Sequence, residues 1–407
     1  MEPYTVIASN DELRSVADGM RASARAALDT EFLRERTYRA RLCLLQLAGT
    51  DGSWLIDPLL ELDLSPVAAL VADPSVEIVV HAGRQDLEIL NERFDIVPAG
   101  VFDVQVAAGF AGYGASLPYG RLVEAVLGKA LVKGESYSDW CRRPLTGAQM
   151  RYAADDVAYL LAAADELKRQ LTELGRLDWA LEEMSALSDG SSYVVDLDEV
   201  WRKIGGRGSL PAGRLPLLKE LARWREETAI KRDVPRGWII KDPTLVEVAR
   251  RGPRTLTALK AIRGISSSEA ERSQRPLLAA IERGRNAPTI DAAPGVARPV
   301  QARARMLVGL SDAVVRARCE RAGIASELVT TRAEMEAVLI DVITGELKDP
   351  SDHSKRRLLT GWRRALAGEA VIELALGRIA VKAVARPPYV EEVPIEQSSK
   401  SGETHGG

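Results

Sequence analysis

With 407 residues, 46% of them apolar and 28% charged, the chain can build roughly two to four domains around a sizeable core. No run approaches the ~20 apolar residues of a membrane span, and the N-terminus carries early acids without a signal-peptide core. Three cysteines, far apart and without metal-ligand spacing, argue against a disulfide frame and for a reducing, cytoplasmic setting. The net charge of −3 divides unevenly: residues 1–200 hold 18 basic and 33 acidic side chains, residues 201–290 hold 20 and 9, and the remainder is nearly balanced. A basic block of that size joined to an acidic one points to a polyanionic partner, nucleic acid above all.

In chain order, residues 26–32, 41–48, 53–59 and 76–82 read as short strands rich in Leu, Val and Ile. Residues 84–94, 104–112, 119–128 and 146–173 read as helices. The first three strands follow one another closely enough for a meander, and the later helices cover it, so the expected fold is a mixed α/β domain over 1–185. A linker is expected over 186–209. Helical periodicity then dominates a small all-α domain over 210–285, and an Ala- and Pro-rich linker follows over 286–300. A second helical region is expected over 301–385, and 386–407 lacks core-forming residues and reads as a disordered tail.

The acids of the first domain occupy telling positions. In "ALDTEF", Asp29 and Glu31 stand two apart on a strand, so both side chains point the same way and repel unless a cation lies between them or both face water. Asp86, in "HAGRQDLEIL", follows a buried strand and falls in a first helical turn, where a carboxylate is also an ordinary favourable placement. In "RYAADDVAYL", Tyr152 and Asp156 are four apart and share a helix face, beside the apolar stripe of Val157, Leu160, Leu161 and Ala164. Four carboxylates from a strand and two helices suit a pair of hard divalent ions, Mg²⁺ or Mn²⁺, and a pair of such ions suits phosphodiester hydrolysis.

In order and rough spacing, "DTEF", "HAGRQDL" and "RYAADDVAYL" resemble the three motifs of the DEDD exonuclease superfamily, in the branch with Tyr-x-x-x-Asp in its third motif. "RTYRARLCLLQLA", "FDVQVAAGF" and "YSDWCRRPLTGAQMRYAADDVAYL" look like bacterial ribonuclease D. "LARWREETAIKRDVPRGWIIKDPTLVEVAR" resembles an HRDC domain, and "GWRRALAGEAVIELALG" resembles its diverged second copy. The resemblance implies a ribonuclease H-like exonuclease domain followed by two small helical domains. It also implies a 3′→5′ exoribonuclease that trims structured RNA such as tRNA precursors, with no protein partner evident. Asp29, Glu31, Asp86 and Asp156 would be the acids of a two-metal site. Tyr152 would orient the attacking water, since a free pKa of about 10 makes it a poor base at neutral pH. Asp155 adjoins the expected ligand, but the motif spacing selects Asp156. Lys231, Arg232 and Arg236 crowd a short basic stretch and are expected to meet phosphate.

Other residues carry blander readings. His81 at a strand end reads as a hydrogen-bonded packing residue, and Asp103 reads as a helix cap. Trp140, Arg142 and Arg143 fit either RNA contact or a buried Trp beside a surface Arg pair. Two other functions stay open on sequence: a DNA 3′→5′ exonuclease, and a nucleic-acid-binding module whose nuclease domain is dead. No G-x-x-x-x-G-K-[ST] helicase motif is present.

Overall fold

Alternation of short apolar runs with amphipathic segments produces a six-stranded mixed sheet flanked by helices. The computed structural model describes residues 4–131, 138–290, 297–352 and 354–395. The strands are β1 (Tyr4–Val6), β2 (Arg25–Leu33), β3 (Arg41–Ala48), β4 (Ser53–Ile56), β5 (Glu77–Val80) and β6 (Val101–Asp103), in the order β1-β4-β3-β2-β5-β6. The expected meander is present: β2, β3 and β4 pair antiparallel, whereas β1, β5 and β6 join their neighbours in parallel. Seven of the eight β3 residues are buried because helices cover both faces of the sheet.

Those helices are α1 (Asn10–Ala22), α2 (Ser65–Val71), α3 (Arg84–Phe94), α4 (Val104–Ala111), α5 (Tyr119–Leu127), α6 (Gly147–Ala158), α7 (Leu160–Glu173) and α8 (Leu177–Met184). α6 opens on a capping box, in which Thr146 and Gln149 satisfy each other's backbone N–H groups. The segment expected as one helix over 146–173 breaks at Tyr159, so α6 can lean on the sheet at its own angle. β1, β6, α1 and α2 were not anticipated.

The basic helices are α9 (Leu215–Arg232), α10 (Arg236–Ile239), α11 (Asp242–Arg251), α12 (Leu256–Lys260), α13 (Ser267–Arg272) and α14 (Gln274–Asn286). They enclose a separate core, which also takes in Val200, Trp201, Ile204 and Leu210. The end of the expected 186–209 linker is therefore structural; its apolar residues lack helical spacing and gave no sequence signal. The last elements are α15 (Arg298–Ala322), α16 (Arg332–Thr344), α17 (Gly361–Arg363), α18 (Glu369–Ala375), and an antiparallel hairpin of β7 (Ile379–Ala383) and β8 (Val390–Pro394). That hairpin corrects the reading of a disordered tail from 386. Glu392 of β8 is paired with Arg318 of α15 at 2.7 Å, while 396–407 lie outside the described residues. Helices α15–α18 share one hydrophobic core with α4, α7 and α8, in which Phe110, Leu167 and Met184 join Val308, Met335 and Trp362.

A second correction concerns the cysteines. Cys43 of β3 and Cys141 are disulfide-bonded, with Cα atoms 4.9 Å apart, and Cys319 is free and buried. The two lie 98 residues apart in sequence and meet only because the segment before α6 folds over β3. Among the described residues no helix is long and apolar enough to cross a membrane.

Candidate active site

Strand alternation puts Asp29 and Glu31 on the same face of β2 as Ala27, the face that α6 and α7 cover. Helical spacing brings Asp156 of α6 to the same place. The ligand oxygens of Asp29, Glu31 and Asp156 all lie within 4.8 Å of one another. Asp86 sits in the first turn of α3 and is buried, and the equally buried Thr30 donates its hydroxyl proton to Asp86 Oδ1. β5 pairs with β2 only over Arg25–Ala27, so the strand edge beyond is open to the start of α3.

Crowding four acids out of water raises their pKa values. Burial, then the charges of Asp86, Asp156 and Glu31, holds Asp29 well above the usual carboxylate range. Burial and the charges of Asp156 and Asp86 push Glu31 up to about 8. Burial takes Asp156 up to about 7 although the Tyr152 hydroxyl donates to it, with Asp155 adding to the rise. Burial takes Asp86 up to about 6 against the hydrogen bond from Thr30. The donor set is all carboxylate oxygen, which fits hard divalent cations such as Mg²⁺ or Mn²⁺ better than Zn²⁺. Positive charge between these groups would relieve the repulsion that raises them.

Tyr152 shares the α6 face with Asp156 and packs its ring 5.9 Å from that of the buried Trp140. Trp140 and Arg143 are structural here: Arg143 donates to both oxygens of Asp57, at 2.5 and 2.7 Å, and to the Trp140 carbonyl at 2.7 Å. His81 Nε2 meets the Leu117 carbonyl at 2.9 Å, as a packing residue would. Asp103 caps α4 by accepting from Gln105 N at 2.8 Å. It also accepts from Ala82 N and Gly83 N, each at 3.0 Å, and so holds the turn that leads into Asp86.

The basic trio separates. Arg232 is 18% exposed and spends its guanidinium on Glu269 and Ser273 within the helical domain, which leaves it unfit for a phosphate. Lys231 is exposed. Arg236 is 53% exposed and stands 3.5 Å from the buried Glu226. Arg236 lines a cavity of about 560 Å³ between the two domains, together with Arg34, Arg84, Tyr38, Tyr193 and Lys203. Beside it, the loop between β2 and β3 is latched to α9. The Tyr38 hydroxyl donates to Glu226 at 2.5 Å, and Tyr38 N and Arg39 N donate to Asp233 at 3.1 and 3.0 Å.

Sequence reasoning passed over Thr30, Gln46 and the double hold of Asp103. Thr30 lies inside the acid motif itself. Gln46 is a single amide in a strand that is otherwise apolar after Arg41, and only the register shows that it faces Asp29.

The profile of 3′-5′ exonuclease domains matches residues 4–172, and that of HRDC domains matches 214–281. The ribonuclease D of Acidiphilium cryptum is 38% identical over 392 residues, covering 96% of this chain and 97% of the relative. That of Granulibacter bethesdensis is 37% identical over 380 residues, covering 92% and 93%. The crystal structure of Escherichia coli RNase D, described as an exoribonuclease involved in structured RNA processing, superposes with a TM-score of 0.78 at 32% identity and covers 91% of this chain and 98% of its own. The catalytic core of Trypanosoma brucei RRP6, at 20% identity and a TM-score of 0.51, shares the fold. With a 3′→5′ exonuclease domain followed by an HRDC domain, and ribonucleases D aligned over nearly their whole length, the chain belongs to the ribonuclease D family.

Proposed function

We propose that this 3′→5′ exoribonuclease hydrolyses RNA at two divalent cations held by Asp29, Glu31, Asp86 and Asp156. The supporting observation is the convergence of Asp29, Glu31 and Asp156 within 4.8 Å from separate elements, with Asp86 buried beside β2 and bonded to Thr30. Bound there, the cations supply an activated water and neutralise charge on the phosphate and the departing oxygen. The protein's part is positioning. Asp29 and Glu31 come from one rigid strand, so their spacing is fixed by the pleat. Tyr152, its ring steadied by Trp140, donates its one hydroxyl proton to Asp156 and offers the oxygen's lone pair to the water, which it orients along the line of attack rather than deprotonating. Lys231 and Arg236 meet backbone phosphates upstream of the cut.

The substrates in this reading are RNAs with a free 3′ end, tRNA precursors among them, in the cytoplasm where such RNAs are made, with Mg²⁺ or Mn²⁺ as the ions and no obligate protein partner. The helices of 301–385 act as a second HRDC-like unit. Matched RNA and DNA oligonucleotides with free or blocked 3′ ends test the proposal. RNA with a free end should be shortened to 5′-nucleotides in Mg²⁺, EDTA should stop it, and Asp29→Asn should abolish it. Equal digestion of a 3′-blocked RNA, or full activity in Asp29→Asn, would refute it.

A further inference from the structure

Gln46 lies in the middle of β3 and is fully buried, yet neither its side-chain oxygen nor its nitrogen has a hydrogen-bond partner. Among the described residues it is the one side chain with both polar atoms left so. A buried amide without partners costs about 1–3 kcal/mol per unsatisfied group, so its presence calls for a use. Its register gives one. Gln46 is the direct antiparallel partner of Asp29, and Leu44 is the partner of Glu31. Residues directly opposite in such a ladder point to the same face, with Cβ atoms about 4.5–5.5 Å apart.

The packing agrees with that geometry. Leu44 packs with Ala153 and Ala154 of α6, Ala48 packs in the core that includes α7, and the intervening Leu45 and Leu47 pack on the opposite face. Gln46 therefore sits between Leu44 and Ala48, under α6, on the face that carries Asp29, Glu31 and Asp156. No hydrogen bond there calls for an amide. The carboxamide adds donors and an acceptor beside a carboxylate that, in the reading above, must hold a cation in a fixed orientation. Ligand carboxylates are held in this way by outer partners, whose loss lowers metal affinity or activity by about 10–100-fold.

We propose that Gln46 is a positioning residue of the cation site: its amide serves the Asp29 carboxylate, and the site's own water, when the cations are bound. This rests on the assignment of Asp29 as a ligand. It carries a signature that a packing role cannot give, namely opposite signs for stability and for metal affinity. Gln46→Met keeps length and volume but removes the orphaned polar atoms, and Gln46→Leu is the second apolar variant.

The experiment is Mn²⁺ titration calorimetry on the full chain, with thermal unfolding in EDTA as the companion measurement. Both variants should unfold at the wild-type temperature or above it without metal, and should bind Mn²⁺ about 10-fold or more weakly. At saturating Mn²⁺ the turnover of a short RNA should fall while its KM holds. Wild-type Mn²⁺ affinity in Gln46→Met would overturn the inference. So would a parallel loss of metal affinity and metal-free stability in both variants, which would mark Gln46 as packing. Asp29→Asn separates the two levels: if it abolishes Mn²⁺ binding while Gln46→Met leaves it intact, only the role of Gln46 falls. If Asp29→Asn binds Mn²⁺ like wild type, the metal-site reading falls and takes Gln46 with it.

Discussion

Replacing Asp156 with asparagine should make the metal-free protein more stable in mildly alkaline buffer while removing its activity. In the folded protein Asp156 titrates at about 7, against 3.8 for an unperturbed aspartate. A carboxyl whose folded pKa is raised adds nothing unfavourable below the unfolded value. It then loses stability as pH rises, until the folded group has also ionised. The window therefore runs from about pH 4 to about pH 7, and roughly three pKa units at 1.36 kcal/mol each give ~4 kcal/mol lost above it. Asparagine carries no charge and can still accept the Tyr152 hydroxyl. Its advantage should be about 1–2 kcal/mol at pH 5 and ~4 kcal/mol at pH 8.5. The unfolding temperature difference should therefore widen by roughly 3–5 °C between the two. Thermal unfolding in EDTA at both pH values reads this directly. Saturating Mg²⁺ should then raise the wild type and leave the variant unmoved, because only a state that binds ligand is stabilised by it. If Asp156→Asn is no more stable than wild type at pH 8.5 in EDTA, burial does not hold the Asp156 carboxyl up as argued here.

Tyr152→Phe removes a hydroxyl that donates to Asp156, so turnover of a short RNA at saturating Mn²⁺ should drop roughly 10–100-fold while KM for the RNA holds; unchanged turnover would make the ring a packing group. Neutralising Lys231 and Arg236 to Gln should flatten the slope of log affinity against log salt by about 2 for structured RNA, and an unaltered slope would take these residues off the RNA path. Arg236→Glu is the poorer choice, because it would replace the cation facing the buried Glu226 with a second acid and disturb the Tyr38 latch. Reducing the Cys43–Cys141 bond reopens a loop of 98 residues in the unfolded chain. That should lower the stability of the exonuclease domain by about 4–5 kcal/mol. Dithiothreitol should therefore shift the melting curve of wild type and not that of Cys43→Ser.

That Asp29 and Glu31 share a side of β2, and Tyr152 and Asp156 a side of α6, was legible because a two-residue spacing on a strand and a four-residue spacing on a helix are local; Asp86, and the choice of Asp156 over Asp155, came only with the motif resemblance. The meander was legible because it too is local. What escaped depends on contacts between distant segments. Nothing in the composition near Tyr159 breaks a helix, since neither Gly nor Pro stands there, and the interruption follows from how α6 and α7 meet the sheet. β1 and β6 are three residues each, too short for a period to show. Arg232 looked like its basic neighbours until Glu269, 37 residues away, was brought against it. The cysteine pair was hidden for the same reason.

The chain leaves its first hydrophobic core near α8, builds an independent one in the basic helices, and returns to the first with α15. The HRDC domain is thus a cassette spliced between two halves of a single body, and the Tyr38 loop is its clasp. Shortening the protein from its end near residue 200 would strip the cover from Phe110 and its neighbours, leaving a sticky face where a folded nuclease was wanted. The workable cut is an excision, with a bridge long enough to run from the end of α8 to the far end of α15, because it is the last turn of that 25-residue helix, not its first, that lies against the start of α8.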